Sequence, residues 1–249
     1  MTYISPATVT PDRNSKEYIV NYWHKRAADF SQLRQHELHS QKALLWQQEI
    51  NRRLPVSNKP LRILDTGCGA GFFSILLSRL QHHVTGIDLT PEMITAARQL
   101  AASEHVKADF YVMDAEQTTF SDSTFDVVIT RNLMWNLPHP EKAYTEWLRV
   151  LKQGGLLLNY DAEYAKNHHS TAAAGAHASL DPSLLAECHN IYHMLPISCY
   201  TRPQWDKKLL SELGCKNISI DFTVNDTIYN EYDAFSISVP MFCVCAFKG

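Results

Sequence analysis

The chain has 249 residues, 45% apolar and 20% charged, with a formal net charge of -3 at pH 7. That length is enough to bury one large core and falls where single α/β domains are common, so one domain over 1–249 is expected. Lys and Arg are scattered and nearly balanced by acids, leaving no basic stripe to neutralise a phosphate backbone; nucleic acid is excluded as the expected partner.

The opening residues, Met1 to Asn14, lack the basic start and apolar block of an export signal, and no apolar run approaches the roughly 20 residues that span a bilayer. A cytoplasmic location with no membrane partner follows as an expectation. From Ser15 to Leu54, apolar and aromatic positions recur at helical spacing, and Pro55 closes this helical preamble. Within it Tyr22, Trp23, Arg26 and Phe30 form an aromatic and basic cluster.

Short apolar runs then alternate with helical patterns across residues 60–160. Strands are expected at Leu61–Leu64, Val84–Ile87, Phe110–Met113, Phe125–Thr130 and Leu156–Tyr160, with helices at Phe72–Leu80, Pro91–Ala102 and Glu141–Leu151. That alternation argues for an α/β fold with a parallel sheet covered on both faces. Thr90-Pro91 and Asp181-Pro182 each pair an N-cap oxygen with proline at the first helical position, and Gly154-Gly155 is expected to end a helix and turn into a strand. Residues 161–200 break the pattern and read as an inserted lid with one helix from Pro182 to about His193. Residues 201–249 add a helix at Pro203–Leu213 and two β runs, Ile218–Thr223 and Met241–Phe247. The six cysteines, at 68, 188, 199, 215, 243 and 245, contain no Cys-x-x-Cys pair and suit a reducing compartment without disulfides.

The first strand runs into Asp65-Thr66-Gly67-Cys68-Gly69-Ala70-Gly71, and Phe72 opens a helix. Glycines in such a turn let backbone approach a ligand and aim helix N–H groups at it. About 20 residues on, Asp88 closes the second strand, where a carboxylate can accept both hydroxyls of a ribose. The dinucleotide fingerprint Gly-x-Gly-x-x-Gly sets its helix beneath a pyrophosphate. Here the glycines fall at every second position after an acid, which would repel a pyrophosphate but can bind the amino group of an amino-acid moiety.

With those motifs in order, residues 62 to 158 resemble the class I S-adenosylmethionine-dependent methyltransferases, particularly the subgroup with the ubiquinone and menaquinone biosynthesis enzymes. The resemblance implies a Rossmann-like, doubly wound, seven-stranded sheet whose last strand is antiparallel and inserted beside the fifth. Ile63 to Gly71 matches the first motif, making Asp65, Gly67, Cys68, Gly69 and Gly71 cofactor-binding candidates. Asp88-Leu89-Thr90-Pro91-Glu92-Met93 matches the second, with Asp88 on ribose, Met93 against the adenine and Leu89 a further cofactor-binding candidate. Asp114-Ala115 matches the third, where a carboxylate meets the adenine amino group. Phe125 to Ile129 matches the fourth strand, followed by Arg131, Asn132 and Leu133 along the cofactor. Val150 to Gly155 resembles the turn before the fifth strand, with Gln153 where proline is common. The outer regions, where such enzymes choose substrates, match loosely, so the small-molecule methyl acceptor stays open.

The resemblance adds a second reading for the aromatic cluster: Tyr22 on a helix closing over the sulfonium, beside core packing as the alternative. Cys68 reads as a small loop residue. Asp161, Glu163, His168, His169 and His139 are candidates to accept a proton from the acceptor, directly or through water. Tyr229 and Tyr232 are candidates to line the pocket. His189 and His193 share a helix face at metal-ligand spacing, but no third ligand lies close in sequence, so no metal is expected. The sequence leaves a homodimer open. The rival functions are a nucleotide-dependent oxidoreductase on the same kind of sheet and a non-catalytic S-adenosylmethionine-binding protein.

Overall fold

The computed structural model describes residues 14–164, 180–231, 233–237 and 239–249. The helical preamble is two helices, α1 (Ser15–Leu38) and α2 (Gln41–Asn51), parted at His39-Ser40. Ser40 takes extended backbone angles (φ -100, ψ 167), and its hydroxyl donates to the Glu37 carbonyl at 2.8 Å, satisfying an orphan group at the end of α1.

Strands and helices then alternate as β1 (Arg62–Thr66), α3 (Phe72–Arg79), β2 (His83–Asp88), α4 (Pro91–Ser103), β3 (Asp109–Val112), β4 (Phe125–Arg131), α5 (Pro140–Val150) and β5 (Leu151–Ala162). Further along the chain come α6 (Pro182–Met194), α7 (Gln204–Glu212), β6 (Lys216–Asp221), α8 (Thr223–Ile228) and β7 (Met241–Phe247). The seven strands form one sheet in the order β3-β2-β1-β4-β5-β7-β6, with β7 antiparallel to both of its neighbours.

Alternating side chains of the central strands feed two separate cores, the mark of a sheet buried on both faces. Leu64, Val128, Leu157 and Val244 face one core with Tyr144 and Trp147 of α5 and Ile191 of α6. Ile63, Val127, Leu158 and Cys243 face the other, with Trp46 of α2, Ile75 of α3 and Ile94 of α4. Cys243 and Cys245 are core-side thiols, and all six cysteines are free.

One boundary differs from expectation. Helix α5 ends at Val150, four residues before the glycine pair, and the chain is already paired to β4 at Leu151. The register shifts between Phe125 and Val127, and Gly154 takes φ 71 within this irregular stretch, so the glycines shape a bulged strand entry rather than a helix cap.

A buried polar network fixes the far end of β5. The Arg202 guanidinium donates to Asp161 at 2.8 Å and to both oxygens of Asp206 at 2.8 and 2.9 Å; Tyr144 donates to Asp206 at 2.6 Å, and Asn159 to Tyr144 at 2.7 Å. Two buried carboxylates and one guanidinium therefore tie β5, α5 and the start of α7 together.

Candidate functional site

Strand β1 returns toward β2 on one side while β4 lies on its other side, which places a topological switch point between β1 and β4. Ligands of open α/β sheets bind beyond the carboxyl ends of the strands at such a point. A deep cavity lies there, with Asp65, Asp88, Asp114, Arg131 and Asn132 from the ends of four strands in its wall.

The glycine turn has a direct conformational cause. Gly67, Gly69 and Gly71 take φ of 64, 51 and 83, so every second residue of the turn is left-handed. A Cβ on Gly67 would also lie 2.5 Å from Leu133 Cδ1. Any other residue there would be strained twice, by its own backbone and by that contact. Gly71 instead closes the turn under α3, where a Cβ would press on Ala97 and Phe110 at 3.2 Å; it is absent from the cavity wall and acts through the path of the loop.

Asp88 holds this turn in place. One oxygen accepts the Gly69 N–H at 3.0 Å and the other accepts the Thr90 N–H at 2.8 Å. Burial raises its pKa, and these two donors work against that rise. Asp65 is 2% exposed and accepts the Ser74 hydroxyl at 2.6 Å; burial pushes its carboxyl up to about 7. Asp114 accepts the Glu116 N–H at 2.9 Å and pairs with Lys16 of α1. Burial raises the Cys68 thiol well above its ordinary value, so it stays protonated and serves as wall.

Away from the acids the cavity is aromatic. Trp23 stands 6.0 Å from Trp135, which lies 4.8 Å from Tyr192 and 6.2 Å from Tyr164 by ring centroids. Trp23 donates to Asn136 at 3.0 Å and Tyr164 to Asn132 at 2.9 Å, so the polar ends of this compartment are satisfied.

Residues 64–159 match the family model described as "Methyltransferase domain". The chain is 33% identical over 110 residues to the ubiquinone biosynthesis O-methyltransferase of Xylella fastidiosa, 44% of either chain. It is 35% identical over 98 residues to the one of Xanthomonas oryzae, 39% of this chain and 41% of that one. It therefore spans less than half the length of the curated relatives it matches. Over residues 64–159 the chain is therefore similar to methyltransferase domains. Among solved structures it resembles a phosphoethanolamine N-methyltransferase of Haemonchus contortus (TM-score 0.58, 17% identity, 82% of this chain and 52% of that one). It also resembles an S-adenosylmethionine-dependent methyltransferase of Aquifex aeolicus (TM-score 0.56, 18% identity, 86% and 97%). At these identities the structures support the fold alone.

Most residues expected to hold the cofactor line the cavity wall: Asp65, Gly67, Cys68, Gly69, Asp88 and Leu89, then Met93, Asp114 and Ala115, then Arg131 and Asn132. Tyr22 is a correction. It is fully buried outside the cavity, its hydroxyl accepting from Arg26 at 3.0 Å and lying beside Cys188 of α6. Its neighbours Trp23 and Phe30 reach the cavity instead, because consecutive helical residues point about 100° apart.

The proposed bases are also placed elsewhere. Asp161 is fully buried against Arg202 and also accepts the Met134 N–H at 3.2 Å, so it anchors strand ends. Glu163 accepts the Arg202 N–H at 2.8 Å and borders a separate small cavity. His139 is the N-cap residue of α5, its ring 3.2 Å from Glu116 and outside the main cavity. Tyr229 donates no cavity surface and instead accepts from Arg131 at 3.0 Å. His168, His169 and Tyr232 lie outside the described residues. Among the described residues, no group of three or more His, Cys, Asp or Glu could hold a metal ion, and no helix is long and apolar enough to cross a membrane.

The sequence reading missed Lys16, Arg34, Trp135, Tyr192 and the 235–237 segment, all in the wall. A signal existed for the first two: Lys16, Val20, Trp23, Phe30 and Arg34 form one stripe at helical spacing along α1.

Proposed function

We propose that this chain transfers a methyl group from S-adenosylmethionine to a flat, largely apolar small molecule, with an oxygen acceptor favoured by the likeness to ubiquinone biosynthesis O-methyltransferases. One observation carries the reading: a single cavity joins three strand-end acids, Asp65, Asp88 and Asp114, to a compartment walled by Trp23, Trp135, Tyr164 and Tyr192. The acids suit a ligand with an ammonium, a ribose and an exocyclic amine; the aromatic walls suit a planar partner.

The residues fit the cofactor. The left-handed turn from Gly67 to Gly71 leaves space that side chains would fill, and Asp88 can accept ribose hydroxyls on the oxygens that already order the loop. Asp65 would hold the ammonium and Asp114 the adenine amine. The cofactor supplies an electrophilic methyl on a sulfonium. The chain's own contribution is alignment: the indoles of Trp23 and Trp135 orient the acceptor, and the aromatic wall limits the water beside it. Among the described residues no histidine or glutamate lines the cavity; a phenol acceptor would enter as the phenolate or release its proton to water as the methyl is transferred. Burial raises the Tyr164 and Tyr192 hydroxyls well above the ordinary tyrosine value, so they act as neutral hydrogen-bonding groups. The acceptor is proposed to enter as a free metabolite of a cytoplasmic enzyme, with no nucleic acid or membrane involved.

Incubation with methyl-labelled S-adenosylmethionine and a panel of phenols, thiols and amines tests the reading. Label should move to a phenol. Calorimetry that shows NADH binding and no S-adenosylmethionine binding would favour an oxidoreductase; tight cofactor binding with no transfer to any acceptor class would favour a binding protein.

A further inference from the structure

Lys42 stands in the first turn of α2 and is only 4% exposed. Two general preferences oppose it there: a lysine is rarely buried unless paired, and a cation in the first turn of a helix meets the positive end of the helix dipole. Its partners account for the position, and among the described residues they all come from one short stretch, residues 228–233. The ammonium donates to the carbonyls of Ile228 at 3.0 Å and Glu231 at 3.3 Å, and lies 3.1 Å from an Asp233 oxygen. Its three N–H donors thus meet three oxygens. Ile228 ends α8, so its carbonyl is one that the helix itself leaves unpaired. The same ammonium sits 5.1 Å from the centre of the Tyr229 ring.

Asp233 passes this anchor on to the cavity wall. Its second oxygen accepts the Phe235 N–H at 2.8 Å and the Ser236 hydroxyl at 3.2 Å, and the Ser236 oxygen accepts the Asp233 N–H at 2.8 Å. Phe235, Ser236 and Ile237 line the main cavity; Lys42 does not. The strand-end acids take their hydrogen bonds elsewhere, Asp65 from Ser74, Asp88 from Gly69 and Thr90, Asp114 from Glu116 and Lys16. Tyr229 instead accepts from Arg131 at 3.0 Å and lies within electrostatic reach of Tyr164, one wall of the aromatic compartment. The segment that Lys42 holds therefore belongs to the acceptor side.

We propose that Lys42 is a positioning residue: from outside the cavity it fixes the 233–237 turn, and that turn sets the fit of the acceptor. The inference rests on the planar-acceptor reading and adds which contact shapes that compartment. A buried charge with all its partners on one segment works as a latch. Removing it strands two carbonyls and a carboxylate, and the segment has to open before water can reach them.

The test compares wild type with Lys42→Met, Asp233→Asn and Lys42→Arg as full chains. Asp233 is partly exposed, so Asp233→Asn weakens the latch even where Lys42→Met fails to fold. Hydrogen exchange should speed up about ten- to a hundredfold in peptides over 228–237 of both variants, with the Gly67–Gly71 turn unchanged. Calorimetry with 2-naphthol on chains saturated with S-adenosylhomocysteine should show about tenfold weaker binding in both, while S-adenosylhomocysteine itself binds within about twofold of wild type. Lys42→Arg keeps the charge and enough donors for the three oxygens, and should restore most of the exchange protection and the naphthol affinity. Uniformly faster exchange, no rescue by arginine, or a loss that falls on S-adenosylhomocysteine and spares 2-naphthol would overturn the proposal. If wild type binds no 2-naphthol at all, the planar-acceptor reading fails and the proposal with it. If wild type binds it and the variants bind it equally, only the proposal fails.

Discussion

Lys16, in the first turn of α1, pairs through its ammonium with Asp114 and lies 2.6 Å from Glu116 as well. The carboxylate assigned to the adenine amine is therefore already engaged by the helix that borders the cavity. The side chains of this pair are 35% and 27% exposed, so the pair is worth at most about 1 kcal/mol. Lys16→Met should tighten S-adenosylhomocysteine binding by no more than about fivefold and reduce its salt dependence. Asp114→Asn should weaken it by about tenfold, because the acceptor becomes in part a donor. Titrations at two salt concentrations compare the two variants; stronger binding in Asp114→Asn would remove that carboxylate from the adenine site.

Asp65 sets a pH dependence. Its folded pKa is raised from 3.8 to about 7 by burial, so the folded, ligand-free chain holds a proton there that the unfolded chain has released. Stability from this group is full below pH 4 and declines as pH rises from about 4 to about 7. A ligand ammonium reverses the preference by favouring the ionised acid. Cofactor affinity should then rise about tenfold between pH 6 and pH 8, and Asp65→Asn should show weaker, nearly pH-independent binding. A wild-type affinity that is flat over this range would contradict contact between Asp65 and a cationic group.

Tyr22 and Trp23 are adjacent in sequence and opposite in consequence. Tyr22→Phe should leave cofactor and acceptor binding unchanged, while Tyr22→Ala should destabilise the chain by about 3–5 kcal/mol through a cavity between α1 and α6. Trp23→Ala should spare the melting temperature more and raise the acceptor KM. Thermal melts and steady-state kinetics on the three variants separate these effects.

Asp161 and Arg202 give a contrasting case. Arg202→Met strands two buried carboxylates, Asp161 and Asp206, and should cost about 3–5 kcal/mol. Asp161→Asn should lower the melting temperature yet leave the pH profile of methyl transfer intact. A lost acidic limb in that profile would restore Asp161 as a proton acceptor.

The sheet was legible because each strand of the core carries a compact apolar run, and the strand-end acids were legible because Asp65 and Asp88 flank a turn whose alternate glycines have a backbone reason. Side-chain direction was not. Whether Tyr22 or Trp23 meets the cavity depends on how α1 docks against α6, which the local pattern does not encode. Asp161 was misread for a similar reason: it has the position of a reactive acid, but its neutralising partner lies 41 residues on. Arg34 escaped notice because a helical arginine ordinarily reaches solvent, and only packing on Phe30 and Glu37 draws it inward.

Strand β7 sits between β5 and β6, and among the described residues β6 pairs with no other strand. A ribosome must therefore deliver Met241–Phe247 before β6, made some twenty residues earlier, has anything to join. Until then the growing chain exposes the open flank of β5, a sticky edge that the last zip of hydrogen bonds seals.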